Sequence, residues 1–453
     1  MACNVVAVPH PGRGHVNAML NLSRLLASSA EGKLLITFVV TEEWLGLLSS
    51  EEKPPTIRFA TIPNVLPSEI GRDADMASFF GSVQTKMEEP FEMLLDRLDA
   101  PVSLIIADTF LNWPVELGDR RNIPVALLWP MSTYVFSILY HFDLLVRHGH
   151  YPFVLSERGE ERLDYIPGIQ SIRLADIPAP ARLEDSRLLD RILPVFRNVS
   201  RAKYLLFNCI NELESEAIDA LKQELKSQIY TLGPIIPHVN LQKPSSSPNT
   251  YSDWLDSQPR SSVLYLSLGS YISVSSAQMD EIADGLRESG VRFLWVARED
   301  ATRLQERCGD AGKVVQWCEQ LRVLCHTAIG GFWTHCGWNS TVEAMYAGVP
   351  MIAFPLSADQ PTNRKLIVED WKIGWNAWGA AGAAGEGKVL SSREICRLVR
   401  KLMDMEGVER KETMGRVAEV QKACLAAFSD GGSSTANLSA FLTHLTAQQH
   451  VSV

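Results

Sequence analysis

The sequence predicts an α/β protein built from two doubly wound, Rossmann-like domains, and three observations lead to this fold class. A chain of 453 residues is longer than one hydrophobic core usually serves. Short apolar runs typical of buried parallel strands alternate with helical patterns along both halves. A Pro- and Ser-rich stretch over residues 236–249 lies between the halves and has the composition of a linker.

The first half opens with a strand, a glycine-containing turn and a helix, which is how a doubly wound domain begins. The strand is predicted over residues 4–9, the turn over 10–15 and the helix over 16–26. Further strands are predicted over residues 34–40, 102–107, 123–129 and 202–208, and a helix over 212–225. Residues 141–200 are irregular apart from a helical piece at 188–198, so little is predicted for them.

The second half repeats this alternation and predicts a second domain of the same class. Its strands are predicted over residues 263–268, 291–297, 314–316, 328–334 and 349–356. Its helices are predicted over residues 277–288, 339–346, 393–405, 409–428 and 435–445. Because open α/β sheets bind ligands at the carboxyl ends of their strands, polar residues that follow a strand are the candidates for function.

Composition and charge exclude several classes of function. The formal net charge of −10 argues against nucleic acid as a partner, since phosphate backbones bind to basic surfaces. No apolar run reaches the roughly 18 residues of a membrane span, and the N-terminus enters a strand without a signal-peptide pattern. The eight scattered cysteines form no CxxC pair, which indicates reduced thiols and a cytoplasmic protein. A zinc site is not predicted, because ligands in tight pairs are lacking even in the densest cluster: Cys318, Cys325, His326, His335 and Cys336.

Residues 317–360 contain a strand–turn–helix unit that is suited to an anion. Asn339 or Ser340 is predicted as the helix N-cap, and Ser340 with Glu343 matches a capping box. A helix that begins after Gly337 directs free backbone N–H groups and its positive dipole end at a group above the turn, which suits a phosphate. An ordinary βα unit that caps its own helix would show the same pattern.

Other residues of this stretch extend the anion site to a nucleotide sugar. Trp317 can stack on a flat heterocycle, and Glu343, one turn along the helix, can bind vicinal hydroxyl groups. The polar pair Asp359–Gln360 follows the next strand. An aromatic plate, an anion site, a carboxylate and a further polar pair together suit a nucleotide sugar.

Residues 317–360 resemble the signature box of the plant UDP-dependent glycosyltransferases of family 1. The sequence HCGWNS, the glutamate Glu343, the sequence AGVPM and the closing Asp359–Gln360 pair are all in register with that box. The resemblance implies a GT-B fold, in which two Rossmann-like domains face a cleft. It assigns an acceptor-binding domain to residues 1–240, a linker to 241–251, a UDP-sugar-binding domain to 252–432, and a returning C-terminal helix to 433–453.

The resemblance also implies a donor site for UDP-glucose, which is a co-substrate, and no cofactor or metal ion. Trp317 would stack on uracil, which would also contact the backbone of Cys318 and the side chain of Gln320. Glu343 would bind the ribose, while Asp359 and Gln360 would bind sugar hydroxyl groups, the Gln indicating glucose. The diphosphate would be bound by a larger set from two turns and one helix: Ser270, His335, Gly337, Trp338, Asn339 and Ser340.

His15 and Asp108 are the candidates for catalysis. His15 follows the first strand, where a catalytic role and a structural or capping role are both open from the residues alone. Asp108 ends the strand at 102–107 and either caps the next turn or supports His15. The resemblance implies that His15 is the general base and that Asp108 hydrogen-bonds to it. One base without a protein nucleophile implies inversion at the anomeric carbon.

The acceptor is expected to be a small lipophilic plant metabolite that offers a hydroxyl or carboxyl group to a monomeric enzyme. Candidates for an apolar acceptor pocket are Phe110, Trp113, Met131 and Tyr134, although ordinary packing also accounts for each. Pro130 stands where many relatives have a Thr or Ser that helps to hold the sugar. Ser132 or Thr133 is a candidate replacement for that hydroxyl group.

Two alternative functions are weaker. An NAD(P)-dependent oxidoreductase would use the turn with Gly12 and Gly14, but Asn17 replaces the third glycine of that fingerprint. A non-catalytic nucleotide-sugar sensor would lack the base, whereas His15 and Asp108 are both present. The Asp-Ala-Asp sequence at 73–75 resembles a metal-binding DxD motif, but no apolar strand precedes it, so solvated acids near a helix start are predicted.

Overall fold

The computed structural model describes residues 3–30, 32–48, 54–68, 75–182, 186–241, 250–269, 274–298, 300–378 and 389–447. Three predicted features lie wholly or partly outside these ranges: the donor-site residue Ser270, the first two residues of the sequence at 73–75, and most of the linker at 241–251. The predicted domain boundaries therefore stay a prediction.

The first domain contains a parallel sheet of seven strands. In chain order the strands are β1 (Cys3–Val8), β2 (Leu34–Thr41), β3 (Ile57–Ile62), β4 (Leu104–Asp108), β5 (Val125–Trp129), the short pair β6 (Arg162–Leu163) and β7 (Ile172–Arg173), β8 (Tyr204–Phe207) and β9 (Gln228–Thr231). The sheet order is β3-β2-β1-β4-β5-β8-β9, while β6 and β7 form a separate antiparallel ribbon. The order reverses direction between β1 and β4, which lie side by side.

The second domain contains a parallel sheet of six strands. These are β10 (Val263–Ser267), β11 (Arg292–Val296), β12 (Gly312–Val315), β13 (Ile329–Thr334), β14 (Met351–Ala353) and β15 (Gly374–Asn376). The sheet order is β12-β11-β10-β13-β14-β15, so the reversal falls between β10 and β13. Two parallel, doubly wound sheets confirm the predicted fold class.

Helices flank both sheets. Those of the first half are α1 (Arg13–Ser29), α2 (Glu42–Leu47), α3 (Met76–Lys86), α4 (Glu88–Leu95), α5 (Pro114–Arg121), α6 (Thr133–Tyr140), α7 (Phe142–Arg147), α8 (Leu155–Arg158), α9 (Arg187–Ile192), α10 (Asn211–Glu224) and α11 (His238–Leu241). Those of the second half are α12 (Thr250–Asp256), α13 (Ser276–Ser289), α14 (Ala301–Cys308), α15 (Gln320–Leu324), α16 (Trp338–Ala347), α17 (Gln360–Lys365), α18 (Ser392–Met403), α19 (Val408–Ala427) and α20 (Ser433–Ala447). Across the part of the chain that the structure describes, each helix is too short or too polar to span a lipid bilayer.

The central strands are buried on both faces, which explains their continuous apolar sequences. In β1, Val6 and Val8 belong to one apolar cluster, and Val5 and Ala7 belong to the cluster on the opposite face. The second sheet is likewise covered by an apolar cluster on each face. Polar residues lie at the carboxyl ends of some central strands, such as Asp108 at the end of β4 and Thr334 at the end of β13.

The last helix, α20, packs on the first sheet although it follows the second domain in the chain. Its residues Leu438, Phe441 and Leu445 belong to an apolar cluster of the first domain. Ser434 Oγ donates to the carbonyl oxygen of Gly233 at 2.6 Å, and Asn437 Nδ2 donates to Thr231 Oγ1 at 2.8 Å. The chain therefore crosses between the domains twice, which restrains their relative position.

Candidate active site

The first site lies at the reversal between β1 and β4, where a crevice forms at the carboxyl edge of the sheet. His15 lies in the first turn of α1, directly after β1, and Asp108 is the last residue of β4. His15 Nδ1 and Asp108 Oδ2 are 2.7 Å apart, and the Asp108 side chain is fully buried. The other carboxylate oxygen accepts a hydrogen bond from the backbone N–H of Phe110 at 3.0 Å. The sheet topology thus brings together two residues that are far apart in the chain.

The charges of this pair reinforce each other. Burial lowers the pKa of His15, but the carboxylates of Asp108 and Asp359 outweigh it and leave that pKa raised. Burial raises the pKa of Asp108, but His15, with a smaller contribution from His10, leaves that pKa lowered. Asp108 is therefore ionised at neutral pH and favours the imidazolium form of its partner.

An aromatic cluster surrounds His15. The His15 ring lies 5.4 Å from the Phe110 ring and 5.0 Å from the His10 ring, between centroids. His10 in turn packs on Phe80 at 4.7 Å and on Phe79 at 5.6 Å. Of these residues only His15 and Phe110 were predicted as site residues, because helix α3 brings Phe79 and Phe80 to the strand ends from a separate part of the chain. Two adjacent phenylalanines at a helix start were the signal available.

The other predicted acceptor residues lie elsewhere. Trp113 is 2% exposed and packs on Phe91 in the core of the first domain. Tyr134 contacts the second domain, with Lys365 Nζ 5.3 Å from its ring centroid. Met131 is partly buried against apolar clusters of both domains. Within the described residues, Phe110 alone of the four is in ring contact with His15.

Ser132 and Thr133 were the candidates for the hydroxyl group that Pro130 lacks, and this expectation stays a prediction. Both side chains are completely buried. Ser132 Oγ caps helix α6 by accepting from the N–H of Val135, and the N–H of Thr133 donates to Glu214 Oε1 at 2.8 Å. Formation of α6 therefore uses the Ser132 hydroxyl group as a helix cap.

The second site lies at the matching reversal between β10 and β13. Strand β13 ends at Thr334, and α16 begins at Trp338 with Gly337 as its N-cap. The N-cap residue Gly337 has no side chain, so the predicted capping box with Ser340 or Asn339 at the N-cap was wrong. Ser340 Oγ and Glu343 Oε2 instead accept from Gln320 Nε2 of α15, at 2.9 and 2.8 Å. A tertiary partner thus replaces the local hydrogen bonds and leaves N–H groups at the helix start for a ligand.

His335 is held in a slot between two glycines. A Cβ atom at Gly269 would lie 2.9 Å from the imidazole, and one at Gly337 would lie 2.4 Å from His335 Nε2. Gly269 also has a φ of +86°, which disfavours other residues there. Burial lowers the pKa of His335 to about 4, so the ring is neutral at physiological pH. Close backbone approach therefore fixes a neutral imidazole beside the start of α16.

The uracil and ribose residues of the prediction lie at one end of this site. Trp317 is 60% exposed, which is unusual for a tryptophan and suits a stacking surface. Cys318 is buried, with its Sγ 3.3 Å from the hydroxyl oxygen of Tyr265, which leaves the Cys318 backbone to contact a ligand. Burial raises the pKa of Glu343 to about 7, although the bond from Gln320 opposes this. Ribose hydroxyl groups would donate further hydrogen bonds to this buried carboxylate.

The two residues predicted to bind the sugar, Asp359 and Gln360, lie at the other end of this site, beside the first domain. Gln360 Oε1 accepts from the N–H groups of Leu356 and Ser357 at 2.7 and 2.9 Å, which fixes the amide and leaves its Nε2 for a ligand. Burial raises the pKa of Asp359, whose carboxylate accepts from Asn363 Nδ2 at 2.7 Å and from the N–H of Trp338. Asp359 also acts electrostatically on His15, so it faces the pair of His15 and Asp108 from the second domain.

Two residues of α16 connect the sites. Asn339 Nδ2 donates to the carbonyl oxygen of Gly14 at 2.9 Å, beside His15. The buried Trp338 donates through its indole N–H to the carbonyl oxygen of Asn208 at 2.6 Å. The predicted diphosphate residues are therefore also contacts between the domains, and the two crevices form one continuous cleft.

Comparison with known proteins assigns this cleft to a family. Residues 230–405 match the family model described as "UDP-glucoronosyl and UDP-glucosyl transferase". The chain is 47% identical to UDP-glycosyltransferase 87A2 of Arabidopsis thaliana over 98% of this chain and 97% of that protein. Its identity to UDP-glycosyltransferase 87A1 of Arabidopsis thaliana is 46%, over 97% and 99% of the two chains.

Solved structures agree in fold over nearly the whole chain. UGT2 of Phytolacca americana, complexed with UDP-2-fluoro-glucose and pterostilbene, superposes with a TM-score of 0.82 at 27% identity, covering 98% of this chain and 99% of that one. UGT71G1 of Medicago truncatula, complexed with UDP-glucose, gives a TM-score of 0.81 at 26% identity and covers 98% of both chains. The fold is of the GT-B type, and the chain belongs to the plant family 1 UDP-glycosyltransferases, enzymes that transfer a sugar from a UDP-sugar donor.

Proposed function

We propose that this enzyme transfers glucose from UDP-glucose to a hydroxyl or carboxyl group of a small lipophilic plant metabolite, with inversion and without a metal ion. The observation that carries the proposal is the 2.7 Å contact between His15 Nδ1 and Asp108 Oδ2 at the edge of the cleft. This contact occupies one ring nitrogen and leaves Nε2 for the acceptor. The UDP-glucose complex of the Medicago truncatula relative supports the choice of donor.

His15 acts as the general base. In its neutral form the imidazole donates its Nδ1 proton to Asp108, so the lone pair is on Nε2, which takes the proton from the acceptor. Asp108 then stabilises the imidazolium that forms, as the aspartate does in a Ser-His-Asp triad. Base catalysis of this kind contributes about 10²- to 10⁴-fold to the rate.

The acceptor oxygen attacks the anomeric carbon in line with the departing diphosphate. The new carbon–oxygen bond forms as the bond to the β-phosphate oxygen breaks, the proton passes to His15, and UDP leaves. Because no covalent intermediate with the protein is formed, a single displacement inverts the anomeric carbon.

The start of α16 and His335 stabilise the charge that develops on the diphosphate. The helix provides N–H groups of its first turn and the positive end of its dipole. His335 is neutral, since its pKa is lowered to about 4, and it hydrogen-bonds to the backbone of Ser267, so it contributes as a neutral polar group rather than as a cation. Fixed donors of this kind provide the electrostatic stabilisation that a metal ion provides in other transferases.

The aromatic cluster around His15 supports a lipophilic acceptor. Phe79, Phe80 and Phe110 are nearly buried, and all three lie in ring contact with His10. An apolar wall beside a base favours a substrate with a single polar group next to a flat apolar body. We propose that a monomer carries out the reaction, because one chain provides both sides of the cleft.

A mass-spectrometric screen tests this function. Wild type, His15→Ala and His326→Ala are each incubated with a mixed panel of plant phenols and terpenols, without added metal. UDP-glucose, UDP-galactose and UDP-glucuronate are offered in parallel. The matched control His326 also contacts an aspartate, Asp256 at 3.0 Å, but it precedes β13, at the opposite end of that strand from His335.

We expect a hexosylated product from UDP-glucose with wild type and His326→Ala, reduced at least about 100-fold in His15→Ala. Wild-type turnover by His15→Ala would contradict the assignment of the base. A product that forms only with UDP-galactose or UDP-glucuronate would contradict the assignment of the donor, and a requirement for added divalent metal would contradict the metal-free mechanism.

A further inference from the structure

Helix α17 begins with Gln360, which is proposed to bind the donor sugar, and then runs along the first domain. Thr362 Oγ1 donates to the carbonyl oxygen of Asp176 at 2.7 Å, and Thr362 is completely buried. The helix continues as a π-helical turn over Leu366–Asp370, in which Glu369 is 3.2 Å from the guanidinium of Arg162 in the first domain. One helix of the donor-binding domain therefore contacts the acceptor-binding domain along its length.

The strongest of these contacts is a buried ion pair. Arg364 Nη2 lies 2.5 Å from Asp176 Oδ1, and the two side chains are 3% and 1% exposed. Asp176 also contacts Arg173 of its own domain, with Nε 2.8 Å from Oδ2. Arg364 also contacts Glu369 of its own domain at 3.0 Å. Each charge thus has a second partner within its own domain, and the Asp176–Arg364 contact joins the two sets.

The contact between Asp176 and Arg364 lies one helical turn from Gln360. Gln360 and Arg364 are four residues apart in α17, so they stack on the same face of the helix. On the N-terminal side of Asp359 and Gln360, the N–H of Ala179 in the first domain donates to the carbonyl oxygen of Ala358 at 2.8 Å. Residues 176–179 of the first domain therefore hold the chain immediately before Asp359 and one turn after Gln360.

We propose that Asp176 and Arg364 form a latch between the domains that positions Asp359 and Gln360 against the donor sugar. The proposal rests on the sugar-binding role of Asp359 and Gln360 stated above. Asp176 and Arg364 act through those two residues and are positioning residues. UDP itself is bound by other residues, from Trp317 to Glu343, which the latch does not contact.

Separation of these two groups of residues gives the latch a specific signature. When the latch is broken, the amide and carboxylate that bind the sugar lose their fixed position, while the uracil, ribose and diphosphate contacts remain. We expect UDP affinity to change less than about twofold, whereas kcat with UDP-glucose falls about tenfold. Because the sugar hydroxyl groups are then read less accurately, the preference for UDP-glucose over UDP-galactose falls about fivefold or more.

The test compares Asp176→Asn and Arg364→Lys with the control Arg162→Gln. Arg162 also forms an ion pair across the domains to the same helix, but its side chain is 51% exposed and its partner Glu369 retains Arg364. UDP affinity is measured by calorimetry, and kcat and KM are measured with both sugar donors. Thermal unfolding identifies variants that are folded at the assay temperature. Arg364→Lys keeps the charge without the forked guanidinium, so it is used for the same measurements if Asp176→Asn does not fold.

Three outcomes decide the proposal. A loss of donor preference in the latch variants, with UDP affinity retained and Arg162→Gln unchanged, supports it. Equal losses with both sugar donors would indicate a purely structural role and overturn it, as would unchanged kinetics in a folded variant. Failure of the proposed function is distinguishable, because wild type would then form no glucoside or His15→Ala would remain active.

Discussion

The two switch points of this molecule have the same topology but different construction. In the first sheet a histidine follows β1 and its carboxylate partner ends β4, and in the second sheet Gly269 follows β10 and His335 follows β13. The first histidine has a raised pKa because it faces two carboxylates. The second has a pKa lowered to about 4 because it is buried between backbone atoms. The two histidines lie on opposite sides of their switch points, one after β1 and the other after β13, and their pKa values are shifted in opposite directions.

This difference shows which feature decides the chemistry of such a crevice. Topology determines where a side chain is placed, and the charged groups next to it determine its proton affinity. Asp108 supplies a negative charge next to His15 in the first domain. The glycines next to the His335 ring, Gly269 and Gly337, supply no charge. Each prediction below removes one element of this contrast.

The largest effect is expected from Asp108→Asn. An amide can accept from Nδ1 only weakly and can itself donate to it, which places the imidazole proton on the wrong nitrogen. We expect kcat to fall by roughly 10⁴-fold, as in a Ser-His-Asp triad that is changed in the same way. UDP affinity should be unchanged, because the donor residues lie in the other domain.

The matched control for this variant is Asp256→Asn. Asp256 also contacts a histidine, His326, but its side chain is 70% exposed, and His326 precedes β13, at the opposite end of that strand from His335. Steady-state kinetics should show wild-type turnover for the control. A loss of less than tenfold in Asp108→Asn would mean that His15 does not depend on this carboxylate.

A smaller effect is expected from Trp317→Ala, which tests the donor side. Stacking of a base on an aromatic side chain contributes about 1–3 kcal/mol, so the Kd for UDP should rise about 5- to 150-fold. Since Trp317 is 60% exposed, the unfolding temperature should change little. Calorimetry with UDP measures the effect, and Met405→Ala, which removes another exposed apolar side chain of the second domain, should leave it unchanged.

Gly337→Ala tests the slot that holds His335. The φ of Gly337 is −61°, which alanine adopts without strain, so the added Cβ acts through its 2.4 Å approach to the imidazole. Displacement of one hydrogen bond to a charged group costs about 1.5 kcal/mol, which corresponds to roughly tenfold weaker UDP binding. Gly415→Ala is the control, because nothing lies within 4 Å of the position that its methyl group would take in helix α19. Equal UDP affinity in the two variants would show that His335 does not contact the diphosphate.

The sequence predicted the centre of each sheet better than its edges. Residues 263–268 were predicted as a strand and residues 263–267 form one, because burial on both faces requires a continuous apolar run. Three strands of the two parallel sheets were missed, namely β3, β9 and β15, and all of them lie at sheet edges. The short antiparallel strands β6 and β7 were missed as well. Arg58 in β3 and Gln228 in β9 are exposed and interrupt the apolar pattern. An edge strand forms by pairing with the adjacent strand, and its own sequence lacks the continuous apolar pattern that would predict it.

The site followed the same rule. All the predicted donor residues except Ser270 lie in one contiguous stretch, so their spacing could be read directly, and the domain fold itself was confirmed. His10, Phe79 and Phe80 were missed because their contacts depend on how α3 folds over the strand ends. The capping box failed because Gln320, from another helix, binds both Ser340 and Glu343. Contacts between separate elements, such as Asp176 with Arg364, leave no signal in a single sequence.

The smallest expected effect links the two switch points through Asp359. This carboxylate contributes to the raised pKa of His15 from the opposite domain. Since the neutral imidazole is the active form, activity rises with pH through that pKa. Removal of a nearby negative charge destabilises the imidazolium and lowers the pKa, so Asp359→Asn should shift the acid limb of the kcat/KM profile to lower pH. The plateau of kcat/KM should fall as well, because Asp359 is proposed to bind the sugar. The measurement therefore compares the pH at which the acid limb lies in the variant and in wild type.

Glu224→Gln provides the control for this profile. Glu224 contacts a histidine, His141 at 2.9 Å, but it lies at the end of α10 and makes no contribution to the pKa of His15. Its acid limb should coincide with that of wild type. A limb that does not move in Asp359→Asn would mean that the domains are farther apart in the working enzyme than in this structure, with His15 tuned by Asp108 alone. A shift toward higher pH would contradict the general-base role, because removal of a carboxylate cannot raise the pKa of the imidazole that it faces.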